Sequence, residues 1–100
     1  MNTLDVLVKA RELVSAPERW TQRSFARSSL GNTVKATSRH AVCWCTFGAL
    51  QVFGAGVESR AYRMLRSEVG GFLGKFNDTH THAEVLAAFD AAIEAERAAL

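Results

Sequence analysis

Residues His40 to Ala55 read HAVCWCTFGALQVFGA. At about 100° per residue, Ala41, Cys45, Gly48 and Val52 fall on one side of a helical wheel, and Val42, Ala49 and Phe53 widen that stripe. The other side carries Cys43, Phe47 and Leu50, so only His40, Thr46 and Gln51 interrupt an apolar surface. A helix that is apolar nearly all round wants neighbours on several sides. About four turns is too short to cross a bilayer, which needs roughly 20 residues. The stretch therefore predicts a buried central helix, N-capped by Ser38 and stopped at Gly54 and Gly56. Gly48 inside it implies a close crossing with another helix.

Helical signals continue on both sides. Leu4 to Val14 repeats apolar residues on one face, with Asn2 as N-cap, Asp5 three residues on, and Pro17 beyond its end. Glu58 to Val69 places Ala61, Tyr62, Leu65 and Val69 inward and stops at Gly70-Gly71. Phe72, Leu73 and Phe76 then read as an apolar hook that caps the core. Thr81 with Glu84 fits a capping box and opens a last helix, on which Val85, Leu86, Phe89, Ile93 and Leu100 form a stripe. The expected fold is all-α: a single small helical domain over residues 1–100, with about four helices around the buried central one and an irregular basic connector.

That connector, Trp20 to Arg39, reads WTQRSFARSSLGNTVKATSR and shows no firm period. Leu30-Gly31-Asn32 marks a turn. Arg19, Arg23, Arg27, Lys35 and Arg39 fall in it or at its edge, and no acid lies between residues 19 and 39. Arg19, Arg23 and Arg27 are spaced to share one helix face. With Trp20 and Phe25 as aromatic anchors among the charges, these seven residues predict a contact surface for a protein partner with an acidic surface. A nucleic-acid backbone is the weaker alternative, since the formal net charge is only +2 and 22% of residues are charged. No secretory signal pattern and no membrane segment are read, which makes reduced thiols in a cytoplasmic protein the expectation. Oligomeric state is left open.

Few residues suggest chemistry. Cys45 as nucleophile, His80 or His82 as base and Asp78 or Asn77 as orienting group would supply a small cysteine-dependent hydrolase or transferase. His40, Cys43, Cys45, His80 and His82 are metal-ligand types, but their spacing matches no paired-knuckle pattern, so no metal and no cofactor are expected. Gly70, Gly71, Gly74 and Lys75 lack the spacing and the preceding strand of a phosphate loop. The commoner outcomes are structural: Cys45 as an inert core thiol, more buried than Cys43 and unpaired with it, and Asn77-Asp78 as caps of a turn before the last helix.

Trp44-Cys45-Thr46-Phe47-Gly48-Ala49-Leu50, Ala61-Tyr62 with Leu65, Phe76-Asn77-Asp78 and the helix opening Ala83-Glu84-Val85-Leu86 form a set. Trp20-Thr21-Gln22 and Phe25-Ala26-Arg27 precede it. Together they resemble a family of small uncharacterised domains of bacterial and phage genomes, over roughly residues 4 to 95. In that family the equivalent of Gln22-Arg23 tends to carry a glycine, absent here. The resemblance implies one intact domain and draws attention to Trp20, Trp44, Cys45, Asn77 and Asp78, but it implies no activity. A phage setting would suit an inhibitor that occupies the surface of a host complex. The function expected is thus a non-catalytic protein-binding module. The cysteine enzyme and a self-assembling structural protein are the alternatives.

Overall fold

His40 to Ala55 changes conformation at Cys45 instead of running as one helix, and the all-α expectation fails with it. The computed structural model describes residues 1–100. It contains helices α1 (Thr3–Leu13), α2 (Thr46–Val52), α3 (Arg60–Val69), α4 (Leu73–Thr79) and α5 (His82–Ala99). Strands β1 (Ala26–Ser28), β2 (Thr33–Val34) and β3 (Ala41–Trp44) form an antiparallel sheet in the order β2-β1-β3. The architecture is mixed α and β.

The break has a local cause. Cys45 is extended, at φ −79° and ψ 175°, and its Sγ accepts the Gly48 N–H at 3.2 Å as the N-cap of α2. Its own N–H donates to Phe25 O at 3.1 Å. Ala41, Cys43 and Trp44 before it find ladder partners on β1, so this segment needs no helix to pair its backbone. An apolar run on both sides of such a junction hides the change of period, because a short apolar stretch reads alike as strand or helix. β3 is in fact an edge strand with Val42 exposed. Ser38 caps no helix; its Oγ accepts the His40 N–H in the turn before β3. Gly54, at φ +80°, does stand at the end of α2. Gly48 is a close-approach glycine, but the backbone it meets leads into a strand: an added Cβ would lie 2.0 Å from Phe25 O.

The connector expected to be irregular holds most of the sheet. β1 and β2 form a hairpin around Leu30-Gly31-Asn32, with Gly31 at φ +82°. β1 pairs with β3 through Arg27↔Cys43 and then Ser28↔Ala41, a shift that leaves Val42 as the extra residue of a bulge. Arg19, Arg23 and Arg27 share no helix face. Arg19 ends a 3₁₀ turn (Pro17–Arg19), Arg23 has left-handed backbone and Arg27 lies on β1.

The flanking helices follow their signals. Asn2 Oδ1 accepts the Asp5 N–H at 2.8 Å. Ser59 caps α3 through the Tyr62 N–H, and Gly70 ends it at φ +74°. Thr81 and Glu84 complete a reciprocal capping box on α5. The expected hook is α4: Leu73 is buried, while Phe72 lies exposed beneath the Arg66 guanidinium at 4.6 Å. Leu7, Val14, Leu50, Leu65, Leu73, Val85 and Phe89 are fully buried. Around them α5 packs on α1 and α3, and α2 packs on α1 and α4. Leu100, read as part of the α5 stripe, is exposed. Two ion pairs, Arg11–Asp90 and Arg60–Glu96, tie α5 to α1 and α3. No helix is long and apolar enough to cross a membrane.

Candidate functional site

After the 3₁₀ turn, Trp20 and Thr21 run beside Trp44, and the Thr21 N–H donates to Trp44 O at 3.1 Å. The chain must then reverse into β1. A reversal outside regular structure leaves backbone groups in need of partners. The last turn of α4 supplies them. Asn77 is wholly buried, and its Oδ1 accepts from Trp20 Nε1 at 2.7 Å, Thr46 N at 2.9 Å and Thr46 Oγ1 at 2.8 Å. Its Nδ2 donates to Thr21 O at 2.9 Å and to Asp78 Oδ1 at 3.3 Å. Gln22 Nε2 donates to the carbonyls of Asn77 and His80. Asn77 is thus no cap of a local turn: its partners Thr46 and Trp20 are 31 and 57 residues away.

Asp78 completes the reversal. Its Oδ1 accepts the Arg23 N–H at 2.8 Å and so holds Arg23 at φ +64°. Arg23 is the only non-glycine residue with positive φ, a conformation that glycine adopts at no steric cost. Asp78 Oδ2 makes no bond within the protein, nor does the Arg23 guanidinium.

Beside this turn lies a cleft of about 480 Å³. The connector contributes Arg23, Ser24 and Phe25, the strands and cap contribute Thr33 and Cys45, and α4 contributes Gly74 and Asp78. Ser24 Oγ and Thr33 Oγ1 share a hydrogen bond at 2.6 Å. Phe25 is 51% exposed and meets Phe47 edge to face, with ring centroids 5.7 Å apart. Ser24, Thr33 and Gly74 carry no sequence signal for this role, because three separate segments assemble the cleft.

Cys45 is buried and Cys43 half-buried, and both are free, as the sequence predicts. Burial pushes the Cys45 thiol up, with Asp78 adding to the effect; the N–H groups of Gly48 and Phe47 oppose it. A raised value means a protonated, weakly nucleophilic sulfur at neutral pH. Neither histidine proposed as its base lines the cleft. His80 Nδ1 lies 2.9 Å from Phe76 O, and because a carbonyl only accepts, Nδ1 carries the proton. Its ring stacks on Phe76 at 4.0 Å. His82 Nε2 donates to Val14 O at 2.6 Å, with its ring 5.6 Å from Trp20. No three His, Cys, Asp or Glu side chains converge closely enough to hold a metal ion, so His40, Cys43, His80 and His82 form no such cluster.

The basic residues divide. Arg27 spans the hairpin, donating to Thr21 Oγ1, Gln22 O and Gly31 O. Arg19 donates to Leu13 O and lies over Trp44 at 5.3 Å. Trp20 is half-buried and fastened to Asn77. Arg23, Lys35 and Arg39 are exposed and join neither ion pair. Lys35 lines a second depression, of about 250 Å³, with Phe25, Thr37 and Gln51.

No curated protein and no solved structure matches the chain. A family model described as "Family of unknown function (DUF6197)" matches residues 1–95, a span that takes in every element from α1 to most of α5. The chain belongs to this family of unknown function, DUF6197.

Proposed function

We propose that the chain is a non-catalytic binding module whose face around Phe25 holds an acidic surface of a protein partner. The observation that carries this reading is the state of Phe25, a large ring half in solvent yet fixed in place. Its carbonyl accepts the Cys45 N–H and abuts Gly48, and its ring rests on Phe47. A rigid, exposed aromatic flanked by depressions on both sides is the kind of residue on which interface energy concentrates. Arg23, Lys35 and Arg39 supply unpaired cations on the same connector, whereas Arg19, Trp20 and Arg27 are engaged within the fold. The raised Cys45 thiol and the absence of a histidine from its cleft weigh against the enzyme alternative.

The test is affinity capture from the native host with the wild-type chain and two variants, Phe25→Ala and Arg23→Glu/Lys35→Glu. One protein should be recovered by the wild type, lost by both variants and released as salt rises. Equal recovery by the charge-reversed chain, at the same salt dependence, would remove the basis of the reading.

A further inference from the structure

The geometry points to the Arg23–Asp78 cleft as a binding site for a small zwitterion of amino-acid type, with its carboxylate on Arg23, its ammonium on Asp78 and its side chain against Phe25. The cleft is one of the two depressions beside Phe25, so the site overlaps the proposed partner surface and shares Arg23 and Phe25 with it. Its 480 Å³ lies within the range of about 300–1,000 Å³ usual for small-molecule sites.

The ligand class follows from which groups are already used. Asp78 Oδ1 takes two donors, Arg23 N–H and Asn77 Nδ2. Two-point recognition by the whole carboxylate is therefore closed, which disfavours a planar donor pair such as an amidine or a guanine edge. The open Oδ2 suits a single compact cation, and an ammonium is such a charge. The Arg23 guanidinium has no partner in the protein and offers the planar fork that a carboxylate takes with two parallel bonds. Ser24 and Thr33 share one hydroxyl hydrogen between them, leaving the other free to donate to the same carboxylate. Cys45 is a protonated thiol and presents no competing charge. The left-handed backbone at Arg23 is a strained conformation for a residue with a side chain, and it occurs at the mouth of this cleft.

The experiment uses the purified chain without any partner, so it succeeds or fails independently of the reading above. The twenty common amino acids are added singly at millimolar concentration, and binding is measured by calorimetry and by the thermal unfolding midpoint. An amino acid with an apolar or aromatic side chain should bind and raise the midpoint as its concentration passes its Kd. Its N-acetyl and amide derivatives, each lacking one charge, should do neither. Asp78→Asn keeps an acceptor for the Arg23 N–H while removing the negative charge, and should weaken binding about tenfold. Gly74→Leu extends from a helix position where an added Cβ meets nothing within 4 Å, so it should block the cleft without unfolding the chain. Failure of all twenty amino acids to bind overturns the proposal. So does equal binding of the N-acetyl and amide forms, or binding untouched by Asp78→Asn and Gly74→Leu.

Discussion

The α1–α3–α5 frame and the layer from Trp20 to Cys45 are held by different forces. The frame buries Leu7, Leu65, Val85 and Phe89 and closes its helix ends with side chains three residues away. The layer has strands of three, two and four residues, too short to stand alone, and draws much of its order from Asn77 and Asp78 on another element. Frame energy is spread over many non-directional contacts, so single losses are partly absorbed. Layer energy is concentrated in a few directional bonds, whose loss leaves buried donors without acceptors.

Asn77→Ala should break the comparison most severely. It strands the Trp20 indole N–H and both Thr46 donors, at a cost of about 4 kcal/mol. Leu65→Ala should cost about 3 kcal/mol. Hydrogen exchange separates the two: the asparagine variant should lose protection first at residues 20–25 and the start of α2, whereas the leucine variant should lose it across the helices. Equal patterns would show that frame and layer are one cooperative unit. Gly48→Ala drives a Cβ into the Phe25 carbonyl and should cost about 3 kcal/mol in denaturant titration, despite improving helix propensity.

Within the frame, Thr81→Ala removes one half of the α5 capping box and should cost about 1 kcal/mol. The bonds from Thr81, backbone first, hold the Glu84 carboxyl below its ordinary range. A depressed folded value means that this contribution is complete above the unfolded value and is lost as pH falls through the folded one. Glu84→Gln should therefore flatten that part of the acid limb of the stability curve. The smallest effect has the opposite sign. Arg23→Gly relieves a left-handed side-chain residue, offset by glycine's extra freedom when unfolded, and should stabilise by about 0.5 kcal/mol. A loss of stability would mean that the arginine side chain contributes contacts that outweigh the strain.

The same division explains what could be read from the residues alone. Asn2, Thr81 with Glu84, and Gly70 act within one turn, so their spacing declares them, and α1, α3 and α5 follow. The sheet escaped because no strand exceeds four residues and because β3 joins α2 without a polar break at Cys45. The arginine spacing at 19, 23 and 27 misled because an i,i+4 pattern has meaning only once a helix is present. Of the predicted contact surface, Phe25, Arg23, Lys35 and Arg39 are exposed or free, whereas Arg27 and Trp20 turn inward to partners that no local pattern reveals. The cleft was partly legible, through Cys45, Asp78, Arg23 and Phe25, but their meeting depends on a contact between residues 55 apart.

The contact between Phe25 O and Gly48 has a consequence for inheritance. One carbonyl receives the Cys45 N–H and also occupies the space a side chain at position 48 would need. A lineage can exchange the exposed cations around Phe25 one at a time, each step viable by itself. Position 48 admits no such gradual path, since any replacement requires the strand entry to shift in the same step. Glycine there should therefore persist among descendants whose surfaces, and hence whose partners, have diverged.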